Sequence, residues 1–250
     1  MPYKLLILDL DGTTIPNKKD GMPSVRVVDV IHQIKDKVII CVATGRGIAM
    51  CRHILSRLGI TALCIVNGGT RIIDPVTEKV LWEKELDHEQ VREIMNVAKE
   101  YHYPVFFGDD LEGTSPQLKL INGGERIIYI EPVTREDTEI ILQKLKHIPN
   151  ITSHKVTSWT PDHFDIHITH AEATKRHALE ILLEMLGVHK SEVVAIGDSE
   201  NDLPLFEVAG FKVAMGNGAD ALKEQADLIA PPVSEDGLAV VLEKLFMQEK

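Results

Sequence analysis

Lys4-Leu5-Leu6-Ile7-Leu8-Asp9-Leu10-Asp11-Gly12-Thr13-Thr14 is the stretch whose reading decides the fold. Four large apolar residues in succession after Lys4 describe a short strand buried on both faces, the habit of a parallel sheet. Two carboxylates follow, one residue apart. At a strand end, residues i and i+2 point to the same side, so Asp9 and Asp11 converge while Leu10 turns inward. Gly12 allows an immediate turn, in which Thr13 can hydrogen-bond backbone. In an open parallel sheet, ligands bind just beyond the C-terminal ends of the strands. Carboxylates held there suit a hard cation such as Mg²⁺, which prefers oxygen donors.

Outward from this strand the same rhythm repeats. Val25, Val28, Ile31 and Ile34 recur every three residues, which predicts one helix face over 24–35. Residues 38–43 form a second apolar run ending in Thr44-Gly45-Arg46; a helix through 58, a third strand at 62–66 and the turn Asn67-Gly68-Gly69 follow. Alternating strands and helices predict a parallel sheet with helices on its faces. A hairpin is expected from 72–73 and 80–82.

The texture then changes. A helix over 87–102, a strand over 127–133, a helix over 134–147 and strands at 151–157 and 164–169 pair strands with strands, as an antiparallel sheet with helices on one side would. Segment 108–124 has little periodicity and is left unassigned. The first rhythm resumes with a helix at 174–186 opened by Lys175, and a strand at 193–197 ending in Asp198. A short helix at 202–208, a strand at 212–214, Gly216-Asn217-Gly218, a strand at 227–229 and a helix at 236–247 complete the pattern. The expected fold is therefore α/β: a doubly wound parallel sheet formed by 1–83 and 171–250, with an α+β domain inserted at 84–170.

Composition narrows the function. A net charge of −11 argues against a nucleic-acid surface, which needs clustered Lys and Arg. No apolar run approaches the roughly 20 residues of a membrane span, and the first run is short and ends in carboxylates, unlike a cleaved signal. A cytoplasmic protein with no membrane partner is expected. Cys41, Cys51 and Cys64 form no Cys-x-x-Cys pair, and a structural disulfide is not expected. His163, His167 and His170 lack the spacing of a helical zinc pair; on a strand His163 and His167 share a face, where partly exposed side chains or a substrate contact are both compatible.

One sheet edge gathers the chemistry. Asp9 and Asp11 follow one strand, Thr44-Gly45 a second, and Asp198 with Asp202 a later one, while Lys175 opens a helix. Carboxylates bind Mg²⁺, and the hydroxyl, the lysine and backbone N–H groups near Gly45 and Gly12 bind phosphate oxygens. This is the inventory for moving a phosphoryl group, where catalysis is mostly positioning and charge neutralisation.

The chain resembles the haloacid dehalogenase-like phosphatases, in particular the Cof-type branch with an inserted α/β (C2-type) cap. The resemblance is carried by Asp9-Leu10-Asp11-Gly12-Thr13, Thr44-Gly45-Arg46, Lys175 and Gly197-Asp198-Ser199-Glu200-Asn201-Asp202, in that order, with Asn67-Gly68-Gly69 and Met215-Gly216-Asn217 as further segments. Thr14 stands where Leu is usual, and Gly69 where Ala is frequent. The resemblance implies that Asp9 is the nucleophile and becomes an aspartyl-phosphate. It implies that Asp11 is general acid for the leaving alcohol and then base for water. Thr44, Gly45 and Lys175 hold phosphoryl oxygens. Asp198 binds Mg²⁺ with Asp9 and the backbone carbonyl of Asp11; Asp202, counted with the metal residues, and Asn201, counted with the phosphate residues, complete the outer shell.

The implied reaction is Mg²⁺-dependent hydrolysis of a small phosphate monoester, a sugar phosphate or similar phosphorylated metabolite, with selectivity supplied by the inserted domain. Two alternatives stay open at this point: a phosphomutase with the same nucleophile, and a non-catalytic phosphate-binding regulator. Arg46 has no assigned role, and neither the substrate nor the oligomeric state is legible.

Overall fold

The computed structural model describes residues 3–108 and 125–247. The chain divides into two compact units, Met1–Leu81 with Lys175–Lys250, and Trp82–Thr174. The first unit begins with β1 (Leu5–Leu8), α1 (Val25–Ile34), β2 (Ile39–Val42), α2 (Ile48–Leu58), β3 (Cys64–Val66), β4 (Arg71–Ile73) and β5 (Val80–Glu83), the last crossing into the second unit. The second continues with α3 (His88–Tyr101), β6 (Val105–Phe107), β7 (Ile127–Thr134), α4 (Arg135–Leu145), β8 (Ile151–Thr157) and β9 (His163–His170). The first unit resumes with α5 (Lys175–Leu186), β10 (Val193–Gly197), α6 (Leu203–Phe206), β11 (Phe211–Ala214), α7 (Asp220–Lys223), β12 (Leu228–Ile229) and α8 (Gly237–Phe246).

Five strands of the first unit form a parallel sheet in the order β12-β11-β10-β1-β2. β1 lies at its centre, Leu5 opposite both Val193 and Ile39, and Leu8 opposite Ile196 and Val42. Leu6 and Leu8 join an apolar cluster with α1, α2 and α8, while Leu5 and Ile7 on the opposite face are equally buried. That explains why β1 reads as an unbroken apolar run rather than an alternating one. The chain leaves β1 towards β2 on one side and β10 towards β11 on the other. The switch of direction between β1 and β10 opens the crevice where ligands bind in such sheets.

Two expectations need correction, and one short strand has no counterpart among them. The buried face of α1 is Val27, Val30, Ile31 and Ile34, a true i, i+3, i+4, i+7 stripe, whereas Val25 is 67% exposed in the first turn. Ser24 accepts from the Val27 N–H at 3.1 Å and starts the helix there. β3 is not a full strand of the parallel sheet. It touches β2 through the single parallel bridge Ala43–Ile65 and belongs to a three-stranded sheet with β4 and β5. β6, only three residues long, carries too little pattern to announce itself. The unassigned segment lies, from residue 109 to its end, outside the described residues.

The second unit is an antiparallel sheet, β6-β7-β9-β8. Ile128, Ile130 and Val133 of β7 with Ile166 and Ile168 of β9 pack against Val91, Ile94 and Met95 of α3 and Ile141 and Leu145 of α4. Asp87 and Gln90 cap α3 reciprocally, each side chain accepting from the other's backbone N–H at 2.8 Å. All three cysteines are free and buried; burial pushes the Cys64 thiol up to about 12 and removes it from thiolate chemistry. No described helix is long and apolar enough to cross a membrane.

Candidate active site

The ladder carries past the end of β1: the Asp9 N–H donates to the Ile196 carbonyl of β10 at 3.0 Å. Asp9 is thereby fixed over the β1–β10 crevice. Gly12 then turns the chain at φ +80°, and a Cβ there would lie 2.2 Å from Asp198 Oδ2. Only glycine lets the two loops approach this closely. Gly197 serves the same purpose one strand away, where a Cβ would sit 2.6 Å from that of Asp202.

Asp9, Asp198 and Asp202 converge, each placing a carboxylate oxygen within 4.8 Å of the others. Lys175, first residue of α5 and 3% exposed, reaches into the group: Nζ donates to Asp9 Oδ1 at 2.7 Å and to Asp202 Oδ1 at 2.6 Å. Asp202 is fully buried, and its Oδ2 accepts from the N–H groups of Asp198 and Ser199, both at 3.1 Å. Asp198 Oδ1 accepts from the Thr13 hydroxyl at 2.9 Å. Thr13 was expected to bond backbone; it bonds this carboxylate, and Thr14 takes the backbone bond instead, donating to the Asp9 carbonyl at 2.6 Å. The family-atypical Thr14 thus steadies the Asp9 main chain.

Two buried carboxylates and a third partly buried one against one lysine leave negative charge uncompensated. Burial, followed by repulsion from Asp202, raises the Asp9 carboxyl well above the usual carboxylate range, with Lys175 opposing and Asp198 adding. Burial and Asp202 likewise push Asp198 up to about 7. For Lys175, burial opposes the charge, but the attraction of Asp202 and Asp9 outweighs it and holds the ammonium protonated beyond its ordinary range. A divalent cation would relieve this crowding. The donors are all carboxylate oxygens, which suits Mg²⁺ and not a thiolate- or imidazole-seeking metal.

Asp11 stands apart from that group. Its carboxylate is gripped by Arg46, Nε to Oδ2 at 2.8 Å and Nη2 to Oδ1 at 2.5 Å. The resemblance invoked its backbone carbonyl, not its side chain, for the metal, and the side chain takes no part in the carboxylate group. Thr44 is fully buried just after β2; its hydroxyl accepts from the Arg46 N–H at 3.1 Å and its N–H donates to Ile65 at 3.0 Å. Gly45 follows it on the same sheet edge. The Asn201 side-chain oxygen accepts from the Ser199 hydroxyl. Asn217, named only as part of a family segment, ties the edge together by donating to the Gly12 carbonyl at 2.9 Å and accepting from the Val233 N–H at 2.7 Å. Arg46 is the residue the sequence left without a task; its signal was a cation one strand from Asp11 on the same edge.

Comparison with known proteins agrees with this geometry. A model of haloacid dehalogenase-like hydrolases matches residues 6–125 and 115–242. A phosphoglycolate phosphatase of Archaeoglobus fulgidus is 31% identical over 249 residues, covering 97% of this chain and 96% of that protein. A 5-amino-6-(5-phospho-D-ribitylamino)uracil phosphatase of Bacillus subtilis is 28% identical, covering 94% and 93%. A crystal structure of a haloacid dehalogenase-like hydrolase from Bacteroides thetaiotaomicron superimposes with a TM-score of 0.81 at 25% identity, covering 98% of this chain and all of that one. With sequence and structure similar over nearly the whole chain, this protein belongs to the haloacid dehalogenase-like hydrolases.

Proposed function

We propose that the protein is a Mg²⁺-dependent phosphatase that hydrolyses a small phosphate monoester through an aspartyl-phosphate on Asp9. The observation that carries this is the lysine-bridged group of Asp9, Asp198 and Asp202 at the switch point of the sheet. The relatives named as phosphatases support the reaction class. They are named for unlike esters, an acid and a pyrimidine, so overall similarity does not fix the substrate. The substrate class proposed is a sugar phosphate or comparable metabolite, selected by the inserted unit Trp82–Thr174.

In the first step an Asp9 oxygen bonds phosphorus, the ester P–O bond breaks, and Asp11 gives its proton to the departing alcohol. In the second, water oxygen bonds phosphorus, the Asp9–phosphorus bond breaks, and a water proton returns to Asp11. Lys175 holds the attacking carboxylate in place and offsets its charge against the phosphate, while Asp202 holds Lys175. Asp202 spends both oxygens on Lys175 and on the turn, so Asp9 and Asp198 are the proposed side-chain ligands of the cation, with the Asp11 carbonyl beside them. Bound there, Mg²⁺ supplies positive charge against which the carboxylate and the phosphate dianion can approach. The Thr44 hydroxyl and the Gly45 N–H are assigned to phosphoryl oxygens.

The test is phosphate release from p-nitrophenyl phosphate and a panel of metabolite monoesters after exhaustive dialysis against chelator. Activity that is absent without metal and restored by Mg²⁺ supports the proposal. Full activity in excess chelator contradicts it, and an isomeric phosphate ester in place of free phosphate would mark a mutase.

A further inference from the structure

The steps above give Arg46 nothing to do, yet every side of its guanidinium is engaged. It is 5% exposed. Beyond the two bonds to Asp11, Nη2 donates to the Lys18 carbonyl at 2.9 Å and Nη1 to the Lys19 carbonyl at 3.1 Å. Its backbone is held as well, the N–H by the Thr44 hydroxyl and the carbonyl by the Asn67 N–H at 3.0 Å. The side chain is therefore an immobile fork, anchored at the end of β2 and presented to Asp11.

A two-pronged guanidinium–carboxylate contact fixes both the position and the plane of the carboxylate. We infer that Arg46 is a positioning residue for proton transfer: its fork sets where the Asp11 carboxyl lies and in which plane it meets first the departing alcohol and then the attacking water. The inference rests on the acid–base role proposed for Asp11. A lysine would not reproduce it, since a single ammonium holds one oxygen and leaves the carboxyl plane unset.

The competing account makes Arg46 a staple for the segment after β1, through the Lys18 and Lys19 carbonyls. The two differ in which esters suffer. Phenyl phosphate needs its leaving oxygen protonated far more than p-nitrophenyl phosphate does. The Arg46→Lys protein is compared with the unaltered protein on both esters, with Asp11→Asn as reference. General acid–base help is worth about 10²–10⁴-fold, and mispositioning should forfeit part of it. The expected result is a roughly 10- to 100-fold fall in kcat for phenyl phosphate. The rate of Asp9 phosphorylation by p-nitrophenyl phosphate should fall far less, and phosphorylated protein should build up in the steady state because the water step also needs Asp11. In Arg46→Ala, added methylguanidinium should restore phenyl phosphate hydrolysis preferentially.

Equal losses on both esters without build-up of phosphoprotein would reduce Arg46 to a staple and overturn the inference. Asp11→Asn separates the two levels of the argument. If it too fails to discriminate between the esters, the role of Asp11 is wrong. If it discriminates and the Arg46 variants do not, only the inference about Arg46 falls.

Discussion

In the sheet unit Asp9, Asp202, Lys175 and Arg46 are all buried, and each is held by another charged group or by backbone. In the inserted unit the titratable side chains lie differently. Tyr129, His167 and His154 face one another across β7, β9 and β8, with ring centroids 4.8 Å and 5.6 Å apart. They occupy the sheet face opposite Ile128, Ile130, Ile166 and Ile168, which pack under the helices. Among the described residues no three metal-ligating groups converge there, as they do around Asp9. Buried charge costs several kcal/mol unless it is paired, so it persists only where every partner is specified. A polar row on one sheet face carries no such constraint and can be exchanged residue by residue. The first arrangement suits chemistry, and the second is the face we propose selects among substrates.

The comparison breaks first at Asp9. Asp9→Asn should lower phosphate release by about 10⁴- to 10⁶-fold, the scale on which loss of a nucleophile falls. Appreciable turnover in that protein would remove the distinction between the units. A smaller effect is expected on folding. Lys175→Met leaves the carboxylates without their cation, and breaking a buried pair costs about 3–5 kcal/mol. Urea denaturation at pH 7.5 should show that loss, with Mg²⁺ recovering part of it; an unchanged midpoint would mean that Lys175 does not bind the group together.

Next is the linkage between protons and metal. Asp198 titrates near 7 in the fold and Asp9 is also raised by burial and by its neighbours, whereas unfolded aspartates titrate near about 3.9. Between those values the folded, metal-free protein holds protons that the unfolded chain has lost, so its stability falls as pH rises from about 4 to about 7. Mg²⁺ competes with those protons. Its effect on the thermal midpoint should therefore be larger at pH 7.5 than at pH 5, and the opposite order would contradict the carboxylate site. The smallest effect belongs to the inserted unit. His167→Gln or Tyr129→Phe should change kcat/KM for the preferred metabolite by about tenfold, the worth of one or two hydrogen bonds, with p-nitrophenyl phosphate affected less. Equal loss on both substrates would show that this face does not select.

The sheet unit was legible because its signals are local. An apolar run followed at once by polar, site-forming residues gives both a buried strand and the edge at which it ends: Asp9 and Asp11 after β1, Thr44-Gly45 after β2 and Asp198 after β10. What escaped were contacts between distant residues. Nothing near Thr13 indicates that its hydroxyl turns to Asp198, and the sequence places Arg46 only on the same edge as Asp11, without showing that its guanidinium closes on both carboxylate oxygens. The spacing points to the wrong side of the first turn of α1 because an apolar residue at every third position from Val25 to Ile34 matches a helix as well as the true stripe does. β3 looked like its neighbours in composition, but a short strand can pair on either side, and its turn at Asn67-Gly68-Gly69 leads it into a hairpin with β4.

The central claim is that two carboxylates two residues apart do different work, Asp9 forming the covalent bond and Asp11 moving protons. The most direct measurement is the mass of the Asp11→Asn protein after incubation with Mg²⁺ and p-nitrophenyl phosphate, followed by peptide mapping. An amide at residue 11 leaves the aryl leaving group able to depart but slows attack by water. The account predicts one added phosphoryl group on the peptide containing Asp9, removed by hydroxylamine, and none when Asp9→Asn is combined with it. A phosphoryl group elsewhere, or rapid turnover with no covalent species in either protein, would contradict it.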